Sequence, residues 1–236
     1  MLANTFNVDS KNVELKENEI HSTYNYETSK IVSGPNGISI VPYSKKIEFK
    51  TNTKVPKLGV MIIGWGGNNG TTVTNGILAN RLSLKWETKR GEVQANYHGS
   101  LTQCSTTYLG QDDKGTTYVA PFKSLLPMVN PSDIVISGWD ISKMNIYEAT
   151  RRAKVLEPTM YTQLKEYTEK MVSLPAVFDL SFVAPNQETR ADNVIEGNKE
   201  KQLETVRQNI RDFKEKKQIR QGHHFMEWEH RTFLRS

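Results

Sequence analysis

Hydrophobic and polar positions divide the chain into three stretches. Residues 1–54 carry short alternations such as Ile38-Ser39-Ile40-Val41 and Lys46-Ile47-Glu48-Phe49, with Gly34-Pro35-Asn36-Gly37 as a turn signal. Period-two alternation reads as strand, and Gly-Pro-Asn-Gly is turn chemistry. The expectation is a β-rich arm of short strands, too few to make a core of their own, which pairs with something outside itself. From Pro56 the pattern changes. An apolar run, Leu58 to Ile63, leads through a glycine-rich turn into a helix-like stretch from Thr71 to Leu82. A second apolar strand, Asp133 to Ser137, ends at Gly138-Trp139-Asp140. Ser142 is placed to cap a following helix with Ile146, Ala149, Ala153 and Leu156 on one face. Further helices follow from the spacing of Met160, Leu164, Tyr167 and Met171, and of Leu203, Val206, Ile210 and Phe213. Apolar strands alternating with amphipathic helices predict an α/β fold, a parallel sheet with helices on both faces. The predicted parts are an arm at 1–54, an α/β domain at 55–217 and an aberrant, disordered tail at 218–236.

The turn between the first such strand and its helix is Gly64-Trp65-Gly66-Gly67-Asn68-Asn69-Gly70. Glycines let a backbone approach an anion closely, and a helix N-terminus offers free N–H groups and a positive dipole end. The spacing departs from the usual dinucleotide fingerprint: the third glycine falls at Gly70, where the pattern would place it at Asn69. Two readings stand, a tight strand-to-helix turn and a phosphate cradle. Asn68 and Asn69 favour the second, because their amides can donate to phosphate or ribose oxygens. In open α/β sheets ligands bind beyond the carboxyl ends of the strands, where both this loop and Asp140 fall. Asp140 fits two roles, a cofactor-binding carboxylate and a helix-start acid favoured by the macrodipole.

Composition narrows the class. At 236 residues and 36% hydrophobic the chain suits a globular protein with one good core. It has no run of apolar residues long enough to span a membrane and no basic-then-apolar signal at Met1 to Ser10, so the cytoplasm is the expected compartment. Net charge is +5, but residues 214–236 hold +3 of it. The rest lacks the basic stripe with interleaved aromatics that nucleic acid requires. Cys104, the single cysteine, excludes an internal disulfide and reads as a small residue near the core. His223, His224 and His230 have no standard zinc spacing and no cysteine beside them, so no metal is expected.

Several long blocks carry a resemblance. Val55-Pro56-Lys57-Leu58-Gly59-Val60, the loop Gly64 to Gly70, Tyr97-His98-Gly99-Ser100-Leu101-Thr102-Gln103, Ala120 to Val129, and Gly138-Trp139-Asp140-Ile141-Ser142 resemble successive blocks of eukaryotic myo-inositol-1-phosphate synthase, also called inositol-3-phosphate synthase. Glu19 to Ser22 and Tyr24 to Thr28 match as well. The likeness runs from residue 1 to about 217. It implies an NAD-binding Rossmann-like domain, preceded by the β-rich arm and incomplete relative to the family. It also implies an isomerase that uses NAD catalytically to turn glucose 6-phosphate into an inositol monophosphate by oxidation at C5, enolisation, aldol closure and reduction. By matching segments the cofactor contacts would be Gly66, Gly67, Asn68, Asn69, Asp140, Val177, Gln187 and Arg190. The family assembles as a tetramer. Its catalytic lysines and most of its sugar-phosphate site lie beyond the matching portion, so no catalytic residue is assigned here and the chain alone is expected to be inactive. A non-catalytic NAD-binding or regulatory polypeptide that joins longer subunits is the alternative.

The tail departs from the family. After the helix ending near Lys217 a family member continues with an apolar strand and a Leu-Trp-x-x-Asn-Thr-Glu-Arg block, whereas this chain reads Arg220-Gln221-Gly222-His223-His224-Phe225-Met226-Glu227-Trp228-Glu229-His230-Arg231-Thr232-Phe233. A codon set compatible with that stretch, shifted by one nucleotide, encodes DKVIILWNGNTERF, the missing strand and block. The expectation is a shift of frame near Lys216 to Ile219, which makes the histidines accidental.

Overall fold

The structure, a computed structural model, describes residues 1–35, 37–181 and 185–217. In chain order the strands are β1 (Val13–Leu15), β2 (Glu19–Gly34), β3 (Gly37–Asn52), β4 (Gly59–Ile63), β5 (Lys85–Thr88), β6 (Gly91–Gln94), β7 (Thr106–Gln111), β8 (Thr117–Pro121), β9 (Val135–Asp140) and β10 (Leu174–Pro175). The helices are α1 (Asn68–Arg81), α2 (Leu101–Cys104), α3 (Ile146–Ala153), α4 (Pro158–Tyr161), α5 (Lys165–Thr168) and α6 (Lys199–Lys216).

The chain divides into two units, one of residues 1–55 and 98–128, the other of 56–97 and 129–236. Residues 98–128 group with the N-terminal segment.

In the first unit β2 and β3 form one antiparallel ribbon, 16 residues on each side, with Gly34 paired to Gly37 and β1 added along β2. The short strands expected here are thus much longer. Alternation missed this length because the ribbon is exposed on both faces: Tyr24, Tyr26, Val32 and Phe49 project on one side, Ile31, Ile38 and Ile40 on the other. With neither face buried, no single periodicity marks the strand. Lys30 covers the Tyr43 ring at 3.7 Å. Cys104 ends α2 exposed, not near a core as expected, because the four-residue α2 has no buried residue of its own.

The second unit is built on a parallel sheet in the order β4, β9, β10. On one face Met61, Trp139 and Ala176 meet Val206, Ile210 and Phe213 of α6. The Trp139 indole N–H also donates to Asn209 Oδ1 at 2.9 Å. On the other face Trp65 lies against Gly138, and its indole N–H donates to Thr74 of α1 at 2.8 Å. A second apolar cluster joins Leu78 and Ala79 of α1 to Met160 and Leu164.

Local chemistry moves several helix ends. Helix α1 starts at Asn68, three residues before the sequence reading, because its first residues are the asparagines that resemble loop. Helix α3 starts after Asn145, whose side chain accepts from the Glu148 N–H while Glu148 accepts from the Asn145 N–H. This reciprocal capping box replaces Ser142 as the start signal. The helix expected over Met160 to Met171 is broken into α4, a 3-10 turn at Thr162–Leu164 and α5. The tail at 218–236, with its three histidines, lies outside the described residues.

Gly138 fixes the spacing of β9 and β4. A Cβ there would stand 2.2 Å from the Ile62 carbonyl oxygen and 2.8 Å from the Trp65 Cβ. Gly138→Ala is therefore expected to cost about 3 kcal/mol, the upper end for overpacking by one methyl group. Urea denaturation checks this; a midpoint equal to wild type would show that the strands part without cost.

Candidate functional site

Strands β4 and β9 run parallel, so the glycine loop after Ile63 and Asp140 at the end of β9 emerge on the same side of the sheet. The sheet grows from β4 through β9 to β10, and α6 then returns across its face to Met61 on β4. In open parallel sheets ligands bind beyond the carboxyl ends of the strands. A cleft of about 650 Å³ lies there, lined by Val60, Ile62 and Ile63 of β4, Gly64 to Val73 in part, Arg152 and Ala153 of α3, and Gln187 and Arg190. That volume is in the range of small-molecule sites.

The loop is held from behind. The Gly66 N–H donates to Asp140 Oδ2 at 2.9 Å, and the Ser142 N–H donates to Asp140 Oδ1 at 3.0 Å. Asp140 is 1% exposed, so its carboxylate braces the loop and the residues after β9. Arg190 Nη2 approaches Asp140 Oδ1 at 3.8 Å. The Gly64 and Trp65 N–H groups donate to the Trp139 carbonyl, and the Gly67 N–H donates to Gly64. The Thr71 N–H then donates to Gly67, which closes the first turn of α1. The N–H groups of Asn68, Asn69 and Gly70 precede that bond and donate to no acceptor among the described residues. They are the orphan donors of a helix start.

This frame fits an anion. The first turn of α1 has no acidic residue. A Cβ on Gly70 would stand 2.3 Å from the Trp65 carbonyl oxygen, and one on Gly67 would stand 3.0 Å from that of Gly64, so the loop closes this tightly only as glycine. Arg190 Nε is buried with no hydrogen-bond partner among the described residues.

The residues expected from sequence are not all equivalent in place. Gly67, Asn68, Asn69, Gln187 and Arg190 line the cleft. Gly66 and Asp140 are buried beneath the loop, bonded to one another. Val177 follows β10, 45% exposed and outside the cleft lining. Sequence reasoning missed Arg152, which in the pair Arg151-Arg152 reads only as a basic helix end. It also missed the pins that shape the loop, Trp65 to Thr74 and Asn75 to Thr150. A tryptophan inside a glycine-rich turn is the one signal that pointed to such a pin. No group of histidine, cysteine and acidic side chains able to hold a metal occurs among the described residues.

A parallel sheet with a glycine loop that leads from the carboxyl end of β4 into a helix start defines a Rossmann-like nucleotide-binding unit. The family described as Myo-inositol-1-phosphate synthase, an NAD-binding one, matches residues 58–222, and the chain belongs to that family. It is 51% identical over 223 residues to inositol-3-phosphate synthase of Sesamum indicum and 52% identical over 223 residues to probable inositol 3-phosphate synthase isozyme 3 of Arabidopsis thaliana. Each comparison covers 93% of this chain and 44% of the relative, so the chain spans less than half the length of the curated relatives it matches. The fold is similar to a crystal structure of inositol-3-phosphate synthase from Caenorhabditis elegans, with a TM-score of 0.86 at 41% identity, over 90% of this chain and 42% of that one.

Proposed function

We propose that this chain is the dinucleotide-holding portion of an enzyme that converts D-glucose 6-phosphate to myo-inositol monophosphate with NAD, the first step of inositol biosynthesis. The observation that carries the reading is the start of α1, whose Asn68, Asn69 and Gly70 N–H groups open beside a cleft lined by Arg152 and Arg190. Gly66, Gly67, Asn68 and Asn69 bring backbone and amides to the pyrophosphate, and Gln187 and Arg190 close over it. Asp140 keeps the loop in shape. Val177 marks the far end of the cofactor beyond β10. NAD bound there would accept a hydride from the sugar's C5 and return it in the last step, so the net change is an isomerisation.

The same lining limits what the chain does alone. Its ionisable side chains are Arg152 and Arg190, and a guanidinium does not give up its proton near neutral pH. Enolisation and aldol closure need a general base and a group to stabilise the enolate. We place these in the further length that the relatives possess, together with the sugar-phosphate site and most of the oligomer-forming surface. The working form is then a cytoplasmic homo-oligomer of longer subunits. Among the described residues no helix is long and apolar enough to cross a membrane.

Phosphorus NMR of glucose 6-phosphate with NAD tests this. The chain alone is expected to bind NAD weakly and make no inositol phosphate at any concentration. The frame-restored protein is expected to make it without net loss of NAD. Turnover by the chain alone would mean that its own residues carry the chemistry. Transcript sequencing across Lys214 to Ser236 tests the frame shift, which an intact frame encoding this tail would sink. The exposed apolar faces of the β2–β3 ribbon favour one further reading, a non-catalytic partner that joins longer subunits. Co-purification of the chain with the full-length enzyme from native extract distinguishes it.

A further inference from the structure

Arg152 lies in the last turn of α3 and lines the cleft. An arginine at that end of a helix usually serves its own terminal carbonyls. Here its Nη2 donates instead to the Gly66 carbonyl at 2.6 Å, inside the glycine loop. The direction is set by packing. The buried Asn75 amide of α1 donates to the Thr71 carbonyl and to Thr150 Oγ1 of α3, at 2.8 and 2.9 Å, and so locks the two helices in register.

The cleft is left electropositive. Burial pushes the Arg152 guanidinium below its ordinary pKa, the charge of Arg190 pushes it the same way, and Asp140 only partly opposes them. Two guanidiniums thus share one carboxylate, whose oxygens already accept from the Gly66 and Ser142 N–H groups. Cations desolvated beside each other are costly unless an anion joins them. A guanidinium has five donors, so the bond to Gly66 leaves Arg152 others to offer.

We propose that Arg152 is a pyrophosphate-binding residue: one nitrogen of its guanidinium fixes the Gly66 peptide and the rest, opposite Arg190, take the phosphates of the dinucleotide. This rests on the dinucleotide reading of the cleft. A role confined to shaping the loop is the competing account, and the two differ in which ligands they affect.

The experiment measures binding of inorganic pyrophosphate, ADP, NAD and adenosine to the chain, its Arg152→Met and Arg152→Lys variants, and the unliganded melting temperature of each. Arg152→Met keeps the apolar stem. It is expected to weaken pyrophosphate, ADP and NAD by about tenfold to a hundredfold, the range for a charge-assisted hydrogen bond. Adenosine binding should stay at the wild-type value, while the melting temperature falls modestly through loss of the bond to the Gly66 carbonyl. Arg152→Lys keeps the charge but not the fork, so it should fall between the two, and it serves as the test if Arg152→Met does not fold. Wild-type affinity for pyrophosphate in both variants would overturn the proposal. So would an equal loss for adenosine and ADP, which marks a loop-shaping role. Failure of the unmutated chain to bind pyrophosphate, ADP or NAD would instead overturn the dinucleotide reading, and this proposal with it.

Discussion

Gly66→Val is expected to reduce NAD binding by at least about a hundredfold, equivalent to roughly 2.7 kcal/mol. A Cβ at this position already stands 3.1 Å from both Cγ and Oδ2 of Asp140. Valine adds two γ-methyls whose rotamer choice is restricted. The carboxylate must then move, and with it the acceptor of the Gly66 N–H and of the Ser142 N–H. The loop loses its brace and its close approach to the pyrophosphate together. Gly66→Ala should have a smaller effect, since one methyl group asks for a shift of only a few tenths of an ångström. Isothermal titration of the frame-restored protein, with circular dichroism to verify folding, reads both. Unchanged affinity in a folded Gly66→Val variant would remove the loop from the site.

Asp140→Ala is expected to destabilise the second unit by about 2–4 kcal/mol. It strips the acceptor from the Gly66 and Ser142 N–H groups, and a buried donor left unsatisfied costs about 1–3 kcal/mol. It also removes the carboxylate beside Arg190. Asp140→Asn should recover part of the loss, because its amide oxygen still accepts from one of the two N–H groups. Urea denaturation without ligand is the measurement. A variant as stable as wild type that nevertheless fails to bind NAD would place Asp140 at the cofactor and not at the loop, the other of the two roles its sequence position allows.

The site was legible where one residue type has a single physical use. Glycines between an apolar strand and a helix meant a tight strand-to-helix turn, and β4 and the loop stand where that reading put them, with α1 starting three residues early. The strand ending at Asp140 was equally visible, because Ile134, Val135 and Ile136 form an apolar run at its start. Residues that act through a partner distant in sequence were not legible. Arg152 and Gly66 are 86 positions apart, and Asn75 and Thr150 are 75 apart; neither pair leaves a local pattern. The capping box at Asn145 and Glu148 was present as a spacing but competed with Ser142, which has the same chemistry three residues earlier. The β2–β3 ribbon failed for the opposite reason: pairing fixes its backbone while both faces stay open, so apolar and polar residues fall without rhythm.

The passage of residues 98–128 into the first unit begins and ends within one small neighbourhood of the second. The Tyr97 and Ser132 hydroxyls are 2.9 Å apart, and Arg81 at the end of α1 donates to the carbonyls of Ser132 and Ile134 at 2.7 and 2.8 Å. The two points where the chain leaves and re-enters are thereby stapled to each other and to α1. Every residue lining the cleft belongs to the second unit. Replacing residues 98–128 by a short linker between Tyr97 and Val129 is therefore expected to leave the cleft lining in place, much as an inserted domain is removed from its host.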